Sequence, residues 1–305
     1  MEKRKEMILG AIFISFAAIL WGLDGVVLTP RLFNLEVGYV VFMLHFIPFV
    51  LMNLIFKNEY RKLKNFTKKD VITFLLIALF GGALGTIAIV KALFLVNFKA
   101  LTIVVMLQKL QPVFAILLAR ILLKEKIKKD VIKWGLLAII AGYFLTFNFS
   151  LPSMSTDSNM ILAAMYALLA AFSFGSATVF GKSVLLKYDY KTVVFYRYGF
   201  TSLIMLVYIL FTKSYLQIFE TTKENWIIFI IITFTTGSVA MFIYYLGLKR
   251  IKANIATICE LFFPISSIFF DYIINGNILN SVQWVSAGIM IFAIIKLSLS
   301  KKEVN

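Results

Sequence analysis

Long apolar stretches recur through this chain of 305 residues and are separated by short segments rich in lysine and arginine. Each stretch has about the 20 residues that a helix needs to cross a bilayer. The stretches do not alternate between apolar and polar residues, as the strands of a membrane β-barrel do. With 61% hydrophobic residues, the chain also lies outside the usual range of soluble domains. The sequence therefore predicts an all-α integral membrane protein.

We predict ten transmembrane helices. They cover residues 8–28, 35–56, 71–96, 100–123, 131–149, 160–186, 191–211, 226–248, 252–274 and 281–298. The first follows three basic residues, as the apolar part of a signal peptide does. Its apolar run is longer than a signal peptide needs, and a second span follows closely, so we expect it to be retained as a helix.

The distribution of positive charge predicts the orientation in the membrane. Loops on the side of the N-terminus carry 21 lysine and arginine residues, whereas loops on the opposite side carry 4. Because positively charged loops are retained in the cytoplasm, both termini are predicted to be cytoplasmic, in a cytoplasmic (inner) membrane protein. The lipid bilayer thus explains the net charge of +16, and we expect no nucleic-acid partner.

Two of the predicted helices carry a polar residue four positions before a proline. These pairs are Gln108 with Pro112 and Glu260 with Pro264. Proline cannot donate a backbone hydrogen bond and clashes with the carbonyl four residues earlier, so each helix is predicted to kink beside its polar side chain. Both the polar residues and the prolines are 152 positions apart.

This separation indicates an internal duplication. The same offset, or one residue more, relates Trp21-Gly22 to Phe174-Gly175, His45 to Arg197 and Gly85 to Gly237. We therefore predict two five-helix units, residues 1–150 and 151–305, divided by the polar stretch 148–159. Since five is an odd number, the second unit must enter the membrane from the opposite side. Such inverted repeats are typical of alternating-access transporters.

The order of these features resembles the EamA branch of the drug/metabolite transporter superfamily over nearly the whole chain. In the first unit the resemblance rests on Leu20-Trp21-Gly22, Gln108 to Arg120, Lys124-Glu125-Lys126, Gly135 and Gly142. In the second it rests on Phe174-Gly175, Tyr196-Arg197-Tyr198, Tyr245-Leu246-Gly247-Leu248, Ala253, Pro264 and Gly288. The resemblance implies ten helices and secondary transport of a small metabolite.

Two positions depart from the family pattern. An arginine that is common in the second span is His45 here, and the Gly-Glu pair that closes the fourth and ninth spans appears as Lys124-Glu125 and Gly276-Asn277. The resemblance does not determine the solute, because members of the family handle amino acids, sugars, nucleotide derivatives, vitamins and drugs.

Polar side chains in the middle of the membrane are the candidates for solute binding. Gln108 and Gln111 are three residues apart and share a helix face. Because both proline-broken helices should meet at the repeat interface, we expect these glutamines and Glu260 to border one central cavity. Glu260 is predicted to bind a cationic group or carry a proton. The alternative is a buried ion pair with Lys91, Lys109 or Arg197.

Six further residues complete the predicted solute-binding set: Trp21, Asp24, His45, Lys109, Arg197 and Tyr245. Asp24 follows Trp21 by three residues, so the ring and the carboxylate share a face, although Asp24 lies close enough to a helix end to be solvated instead. Arg197 and its repeat mate His45 are predicted as gate or anion-contact residues. The alternative for His45 is an interior histidine whose hydrogen bonds are satisfied.

No motif indicates an enzyme or a direct use of ATP. The chain has neither Gly-x-Ser-x-Gly nor Gly-x-x-x-x-Gly-Lys-[Ser/Thr]. One cysteine and one histidine exclude a thiolate or histidine metal cluster, so we expect no metal and no cofactor. A secondary transporter is predicted, with proton coupling left open and no signal for an oligomeric state. An integral-membrane enzyme or scaffold is the remote alternative.

Within transport, the side chains favour a planar, neutral, hydrogen-bonding solute. The amides of Gln108 and Gln111 both donate and accept hydrogen bonds, and Trp21 and tyrosines offer stacking surfaces. Some branches of the superfamily that the chain resembles import riboflavin, which fits this description. The alternative is an amino-acid or drug exporter, in which Glu260 would meet the ammonium group of the solute.

Overall fold

The computed structural model describes residues 2–96, 104, 107–147, 149, 158–276, 278 and 280–299. Within them, ten helices match the predicted spans in order. They are α1 (Glu2–Leu32), α2 (Val37–Ile55), α3 (Lys68–Leu95), α4 (Gln111–Leu122), α5 (Lys129–Phe147), α6 (Asn159–Leu185), α7 (Tyr190–Thr212), α8 (Lys223–Arg250), α9 (Ala253–Asn275) and α10 (Ser281–Ser298). Eight of these helices are long and apolar enough to cross a membrane. The chain is therefore a multi-pass membrane protein.

Three sequence predictions fall largely outside the described residues. They concern the first part of the fourth span (100–106, of which only Val104 is described), most of the polar stretch 148–159, and Asn277. The described part of the fourth span is α4, which is shorter than the others at 12 residues.

Corresponding helices of the two units begin with the same kind of cap. Thr67 and Asp70 form a capping box at the start of α3, and Thr222 and Asn225 form one at the start of α8. In each box the threonine hydroxyl accepts from a backbone N–H that has no partner within the helix. The local sequence thus determines where the third helix of each unit begins.

The contacts between helices show the two-fold relation of the units. The most extensive contacts all join one unit to the other: α5 with α10, α2 with α7, α1 with α8, α3 with α6, α1 with α9, and α4 with α6. Exchanging the units converts α1–α8 into α6–α3 and α1–α9 into α6–α4, while α2–α7 and α5–α10 map onto themselves. The fold is therefore a pair of inverted five-helix repeats that pack mainly against each other.

The repeated Trp-Gly and Phe-Gly pairs have a packing role. A Cβ on Gly22 would collide with the Ser266 side chain of α9, and a Cβ on Gly175 would lie 2.9 Å from the Gln111 carbonyl of α4. Glycine therefore lets the first helix of each unit approach the broken helix of the other unit closely. The match between these two pairs in the sequence reflects one interhelical contact used twice.

The sequence predicted that the two prolines lie within kinked helices. In the structure, each proline instead lies in the first turn of a helical segment. Pro112 is the second residue of α4, after a turn at Lys109 and Leu110, and Pro264 is the third residue of the segment Phe262–Asn275, after a turn at Glu260 and Leu261. In the first turn of a helix the missing proline N–H leaves no hydrogen bond unmade. In both helices the regular α-helical hydrogen bonding is broken by a turn, in which Leu110, Glu260 and Leu261 keep right-handed helical dihedral angles.

Three membrane helices also contain π-helical segments, which widen the helix locally. In α3 the segment is Ile77–Leu84, and in its repeat mate α8 it is Thr233–Gly237. The repeated glycines Gly85 and Gly237 lie at the ends of these two segments. The third segment, Asp24–Leu28, is in α1, whereas α6 continues as an α-helix.

Candidate functional site

A cavity of about 270 Å³ lies between the two units, where the broken helices α4 and α9 meet. Its volume is near the lower end of the roughly 300–1,000 Å³ typical of small-molecule sites. Eight of the nine predicted solute-binding residues line it: Trp21, Asp24, His45, Gln108, Lys109, Gln111, Arg197 and Glu260. The predicted convergence of the two broken helices on one cavity is thus present in the structure.

A hydrogen bond joins the two helix breaks directly. The side-chain amide of Gln111, at the start of α4, donates to Oε2 of Glu260 in the break of α9. Gln108, the repeat mate of Glu260, lines the same cavity. The amide–carboxylate hydrogen bond thus links the two units directly. A movement of one unit relative to the other would change this hydrogen bond.

The remaining partners of Glu260 are two hydroxyl groups. The Tyr244 hydroxyl donates to Oε1 at 2.8 Å, and the Thr178 hydroxyl donates to the same oxygen at 3.2 Å. The oxygens of these two hydroxyls are 2.8 Å apart, but each hydroxyl has a single proton, so no hydrogen bond joins them when both donate to Glu260. Glu260 thus accepts three hydrogen bonds, all from neutral groups.

None of the three cations considered for an ion pair is hydrogen-bonded to Glu260. Lys109 donates to the Gly142 carbonyl of α5 at 2.7 Å, and Lys91 lies over the Tyr166 ring, 5.9 Å from its centroid. Among the described residues, the salt bridges with N···O distances up to 4.0 Å do not include Glu260. The carboxylate is therefore held by dipoles and not by a direct charge partner.

Arg197 is anchored to the protein on the opposite wall of the cavity. Its guanidinium donates to the Gly81 carbonyl at 2.6 Å and to the Tyr245 hydroxyl at 3.1 Å. Its repeat mate His45 is also buried and is within 2.8 Å of the Val41 carbonyl through Nδ1. His45 thus has a hydrogen-bond partner in its own helix, as the interior alternative expected, while its ring still faces the cavity.

Tyr245, the ninth predicted residue, does not line the cavity. It is fully buried and lies behind Arg197, whereas its neighbour Tyr244 lines the cavity and holds Glu260. Successive residues on a helix point about 100° apart, so only one of the two tyrosines can face the site. The sequence did not show which of the two tyrosines faces the cavity. The orientation of α8 about its axis places Tyr244 there.

Trp21 and Asp24 face the cavity from α1. The Trp21 ring is 5.3 Å from that of Tyr244, measured between centroids. One turn later, Asp24 begins the π-helical segment of α1. Its Oδ1 atom is buried and has no hydrogen-bond partner. Trp21 thus contacts Tyr244 of the Glu260 network, and Asp24 lies one helical turn further along α1.

Sequence reasoning did not identify several hydroxyl-bearing residues of the site, among them Thr178 and Thr236. Both line the cavity and are almost completely buried. Thr178 lies one turn after the Phe174-Gly175 repeat pair, and Thr236 immediately precedes Gly237, so the repeated residues mark their neighbourhood. Threonine is common in membrane helices, and its type alone does not distinguish a site residue from a packing residue.

The helices are joined more tightly at the end of the bundle where α9 begins. The Glu125 carboxylate accepts from the backbone N–H groups of Ala253 and Asn254 at 2.9 and 3.1 Å. Nearby, Lys182 donates to the last carbonyls of α8, those of Leu248 and Lys249. Anions at a helix start and cations at a helix end both match the helix dipole. The Glu125 contacts join the loop after α4 to the start of α9 and thus link the two units.

Comparisons with known proteins agree with this architecture. The model of the EamA-like transporter family matches residues 8–148 and again 161–299. The riboflavin transporter ImpX of Fusobacterium nucleatum subsp. nucleatum (strain ATCC 23726 / VPI 4351) is 54% identical over 290 residues, which are 95% of this chain and 97% of that protein. A solved structure described as the crystal structure of a protein has a TM-score of 0.68 at 13% identity, over 94% of this chain and 95% of that chain, and so shares the fold. This protein belongs to the EamA-like transporter family.

Proposed function

We propose that this protein imports riboflavin across the cytoplasmic membrane by secondary transport and has no enzymatic activity. The observation that carries the proposal is the 54% identity to the riboflavin transporter ImpX, which extends over 95% of the chain. Since the EamA-like family as a whole handles many solutes, this close relative is what favours riboflavin among them.

The chemistry of the cavity supports a flavin. The isoalloxazine ring is planar, with carbonyl and N–H groups along one edge, which the amides of Gln108 and Gln111 complement as both donors and acceptors. Trp21 and Tyr244 offer aromatic surfaces beside these amides. A site that combines stacking surfaces with a few convergent polar groups is typical of small-molecule recognition.

The alternative solute, an amino acid or drug with an ammonium group, would need Glu260 as its counter-ion. Glu260 already accepts three hydrogen bonds from protein groups. A carboxylate has about four acceptor sites, so an ammonium group would have to compete with these donors for Glu260, whereas a flavin can bind to the neighbouring amides. The structure of the site thus favours a neutral solute.

For the orientation, we propose that both termini are cytoplasmic and that the two units divide at about residue 150. The charge distribution supports the orientation, with 21 basic residues in the loops on one side and 4 on the other. A reporter fused after Asn305 is expected to be active only in its cytoplasmic form. A C-terminal fusion active on the outer side of the membrane would contradict the orientation.

For the energy source, we propose coupling to a proton gradient through Glu260. This carboxylate lies beside the solute cavity, and all of its hydrogen-bond donors are neutral. It can therefore gain or lose a proton without breaking an ion pair. The absence of a nucleotide-binding motif from the sequence is consistent with a gradient as the source of energy.

The function is tested by uptake of radiolabelled solutes into cells that cannot synthesise riboflavin. Cells expressing the protein are expected to accumulate riboflavin, and unlabelled flavins are expected to inhibit this uptake. Amino acids should be neither accumulated nor exported faster than in cells carrying the empty vector. Transport of an amino acid, with no riboflavin uptake at an equal membrane level of the protein, would show that the alternative is correct.

A further inference from the structure

A second polar group of the cavity is separate from the Glu260 network. Asp24 begins the π-helical segment Asp24–Leu28 of α1, and Thr236 lies in the π-helical segment Thr233–Gly237 of α8. The carboxyl group of Asp24 lies beside the hydroxyl groups of Thr236 and Thr29, and all three residues line the cavity. Two locally widened helices thus present a carboxylate and hydroxyls to the same space.

Two atoms of this group have no hydrogen bond of normal geometry, although the carboxyl and hydroxyl groups lie close together. Oδ1 of Asp24 and Oγ1 of Thr236 are both buried without a partner, and Thr236 as a residue is only 1% exposed. Leaving such atoms unpaired costs about 1–3 kcal/mol each, and more for a charged group. Glu260, by contrast, accepts three hydrogen bonds. Unused hydrogen-bonding capacity of the cavity thus lies at Asp24 and Thr236, and also at Arg197 Nε and Thr257 Oγ1; of these, Asp24 and Thr236 lie in π-helical segments.

The duplication shows that these two residues are not part of the shared scaffold. By the repeat offset, Asp24 corresponds to Ala177 in α6, and Thr236 corresponds to Leu84 in α3. Neither mate can form a side-chain hydrogen bond, and α6 has no π-helical segment where α1 has one. Since the fold forms without polar groups at the equivalent positions, this pair fits a ligand role better than a structural one.

The unpaired atoms differ in what they can bind. A carboxylate oxygen accepts hydrogen bonds, whereas a threonine hydroxyl both donates and accepts. Neighbouring hydroxyl groups on a carbon chain match this pair, because one can donate to Asp24 while the next accepts from Thr236. A metal cation would need several oxygen ligands at fixed distances, and the described residues contain no group of three or more acidic, histidine or cysteine side chains that could hold one.

We propose that Asp24 and Thr236 form a polyol subsite that binds the ribityl chain of the flavin. This inference rests on the proposed function. Trp21 lies one turn before Asp24 and contacts Tyr244, which holds Glu260. In this arrangement, a flavin ring stacked on Trp21 would have the side-chain amides of Gln108 and Gln111 near one end. Its ribityl chain would extend toward Asp24. The subsite would make the transporter distinguish riboflavin from flavins without the chain.

The test compares two flavins and several variants of the purified full-length protein. Riboflavin is compared with lumiflavin, which has a methyl group in place of the ribityl chain, by titration of the quenching of flavin fluorescence. Wild-type protein is expected to bind riboflavin about tenfold or more tightly than lumiflavin, as hydrogen bonds to a charged group would give. In Thr236→Val and Asp24→Asn, riboflavin should lose most of this advantage while the lumiflavin affinity is unchanged.

Two control variants separate ligand binding from structural damage. Thr236→Ser keeps the hydroxyl and should retain the preference for riboflavin. Thr235→Val changes the neighbouring threonine, which is exposed and bonds to its own helix at the Ile231 carbonyl, and should bind both flavins as the wild type does. If Asp24→Asn and Thr236→Val do not fold, the ratio of the riboflavin and lumiflavin affinities of the wild-type protein still tests the subsite.

Each outcome has a distinct meaning. Equal wild-type affinities for the two flavins would overturn the polyol subsite and leave the proposed function intact. If Asp24→Asn and Thr236→Val lower the affinities for riboflavin and lumiflavin equally, the two residues have a structural role. This outcome would also overturn the polyol subsite. Unchanged affinities in both variants, with accumulation lost in Asp24→Asn, would make Asp24 a coupling residue instead. A wild-type protein that binds neither flavin would refute the proposed function and the subsite together.

Discussion

The broken helices α4 and α9 have the same backbone plan and different chemistry. Each is interrupted by a turn, and each resumes with proline in its first helical turn. At corresponding positions, Gln108 lies just before the turn that precedes α4, and Glu260 lies in the turn within α9. The basic residue of the first break, Lys109, is bonded to the Gly142 carbonyl of α5, whereas Glu260 is surrounded by donors that face the cavity. The two units thus share the backbone conformation at the breaks and differ in the side chains there.

Because of this difference, the two halves of the cavity present different chemical groups to a solute. A site with identical groups on its two halves would accept a solute in two equivalent orientations. Here the amide of Gln111 faces the carboxylate of Glu260 across the interface, and the unpaired carboxylate of Asp24 has no counterpart in the other unit. An asymmetric solute such as a flavin therefore has one preferred orientation. In alternating access the units rock against each other about this site, so the Gln111–Glu260 contact is expected to change during transport.

The largest effect is expected from Glu260→Gln, which removes the titratable group and nearly keeps the shape. If Glu260 carries the coupling proton, accumulation against a gradient should fall to the level of the empty vector, while exchange of riboflavin across the membrane survives. Counterflow and net uptake in the same vesicles measure the two activities separately. Unchanged accumulation would remove Glu260 from the coupling mechanism, and loss of exchange as well would indicate a structural or binding role.

The next largest effect tests whether the two breaks are interchangeable. Adding Gln108→Glu to the Glu260→Gln variant moves the carboxylate to the corresponding position of the first unit. We expect no recovery of accumulation, because the hydroxyls of Tyr244 and Thr178 surround position 260. Net riboflavin uptake by the double variant measures this. Recovery to a substantial part of wild-type uptake would show that the two breaks are functionally equivalent.

A smaller effect is expected from Gln111→Ala, which removes the amide that spans the breaks. A hydrogen bond from a neutral donor to a charged acceptor contributes about 1.5–3 kcal/mol, so transport should fall about tenfold or more while membrane insertion is unchanged. Initial rates of riboflavin uptake, corrected for the amount of protein in the membrane, measure this. Val113→Ala in the same helix is a matched control, because Val113 is 40% exposed on the outer surface of the bundle.

An uptake rate of Gln111→Ala within twofold of the wild type would contradict a functional role for the contact between the breaks. Equal losses in Gln111→Ala and Val113→Ala would instead assign the effect to helix packing.

The smallest effect concerns the ends of the two broken helices. Lys124 follows α4 with φ = 55°, and Gly276, 152 residues later, follows α9 with φ = 72°. Left-handed backbone is unfavourable for residues with a Cβ by roughly 1–2 kcal/mol. Lys124→Gly is therefore expected to stabilise the protein by up to about 1 kcal/mol, seen as a higher midpoint of thermal unfolding in detergent.

Lys126→Gly is the control for this substitution, because Lys126 is not among the described residues with positive φ. It should not stabilise the protein, since glycine only increases the freedom of the unfolded chain there. Equal midpoints for Lys124→Gly and wild type would show that the left-handed lysine is not strained.

The backbone of the site could be predicted from the sequence, because its signals are regular. The 152-residue offset of Pro112 and Pro264 predicts two related helix breaks, and polar residues beside them predict a cavity at the interface. The structure places eight of the nine predicted residues at one cavity. Their roles in solute binding and coupling stay predictions.

The details that the sequence did not predict depend on the rotation and local winding of the helices. Tyr244 and Tyr245 are adjacent, and the choice between them requires the orientation of α8 relative to α9. The π-helical segments that carry Asp24 and Thr236 have no sequence pattern of their own, and so the sequence did not predict the subsite proposed there.

Binding of the solute between the two broken helices can be measured by the protection of an introduced cysteine from a thiol reagent. The single native cysteine, Cys259, is buried and is first replaced by serine. A cysteine is then placed at Gln108, which lines the cavity, or at Val113 on the outer surface of the bundle, and its labelling by a thiol reagent is timed with and without saturating riboflavin. Riboflavin should slow labelling of the Gln108→Cys protein and leave that of Val113→Cys unchanged. Equal labelling rates at position 108 with and without riboflavin would contradict binding between the breaks.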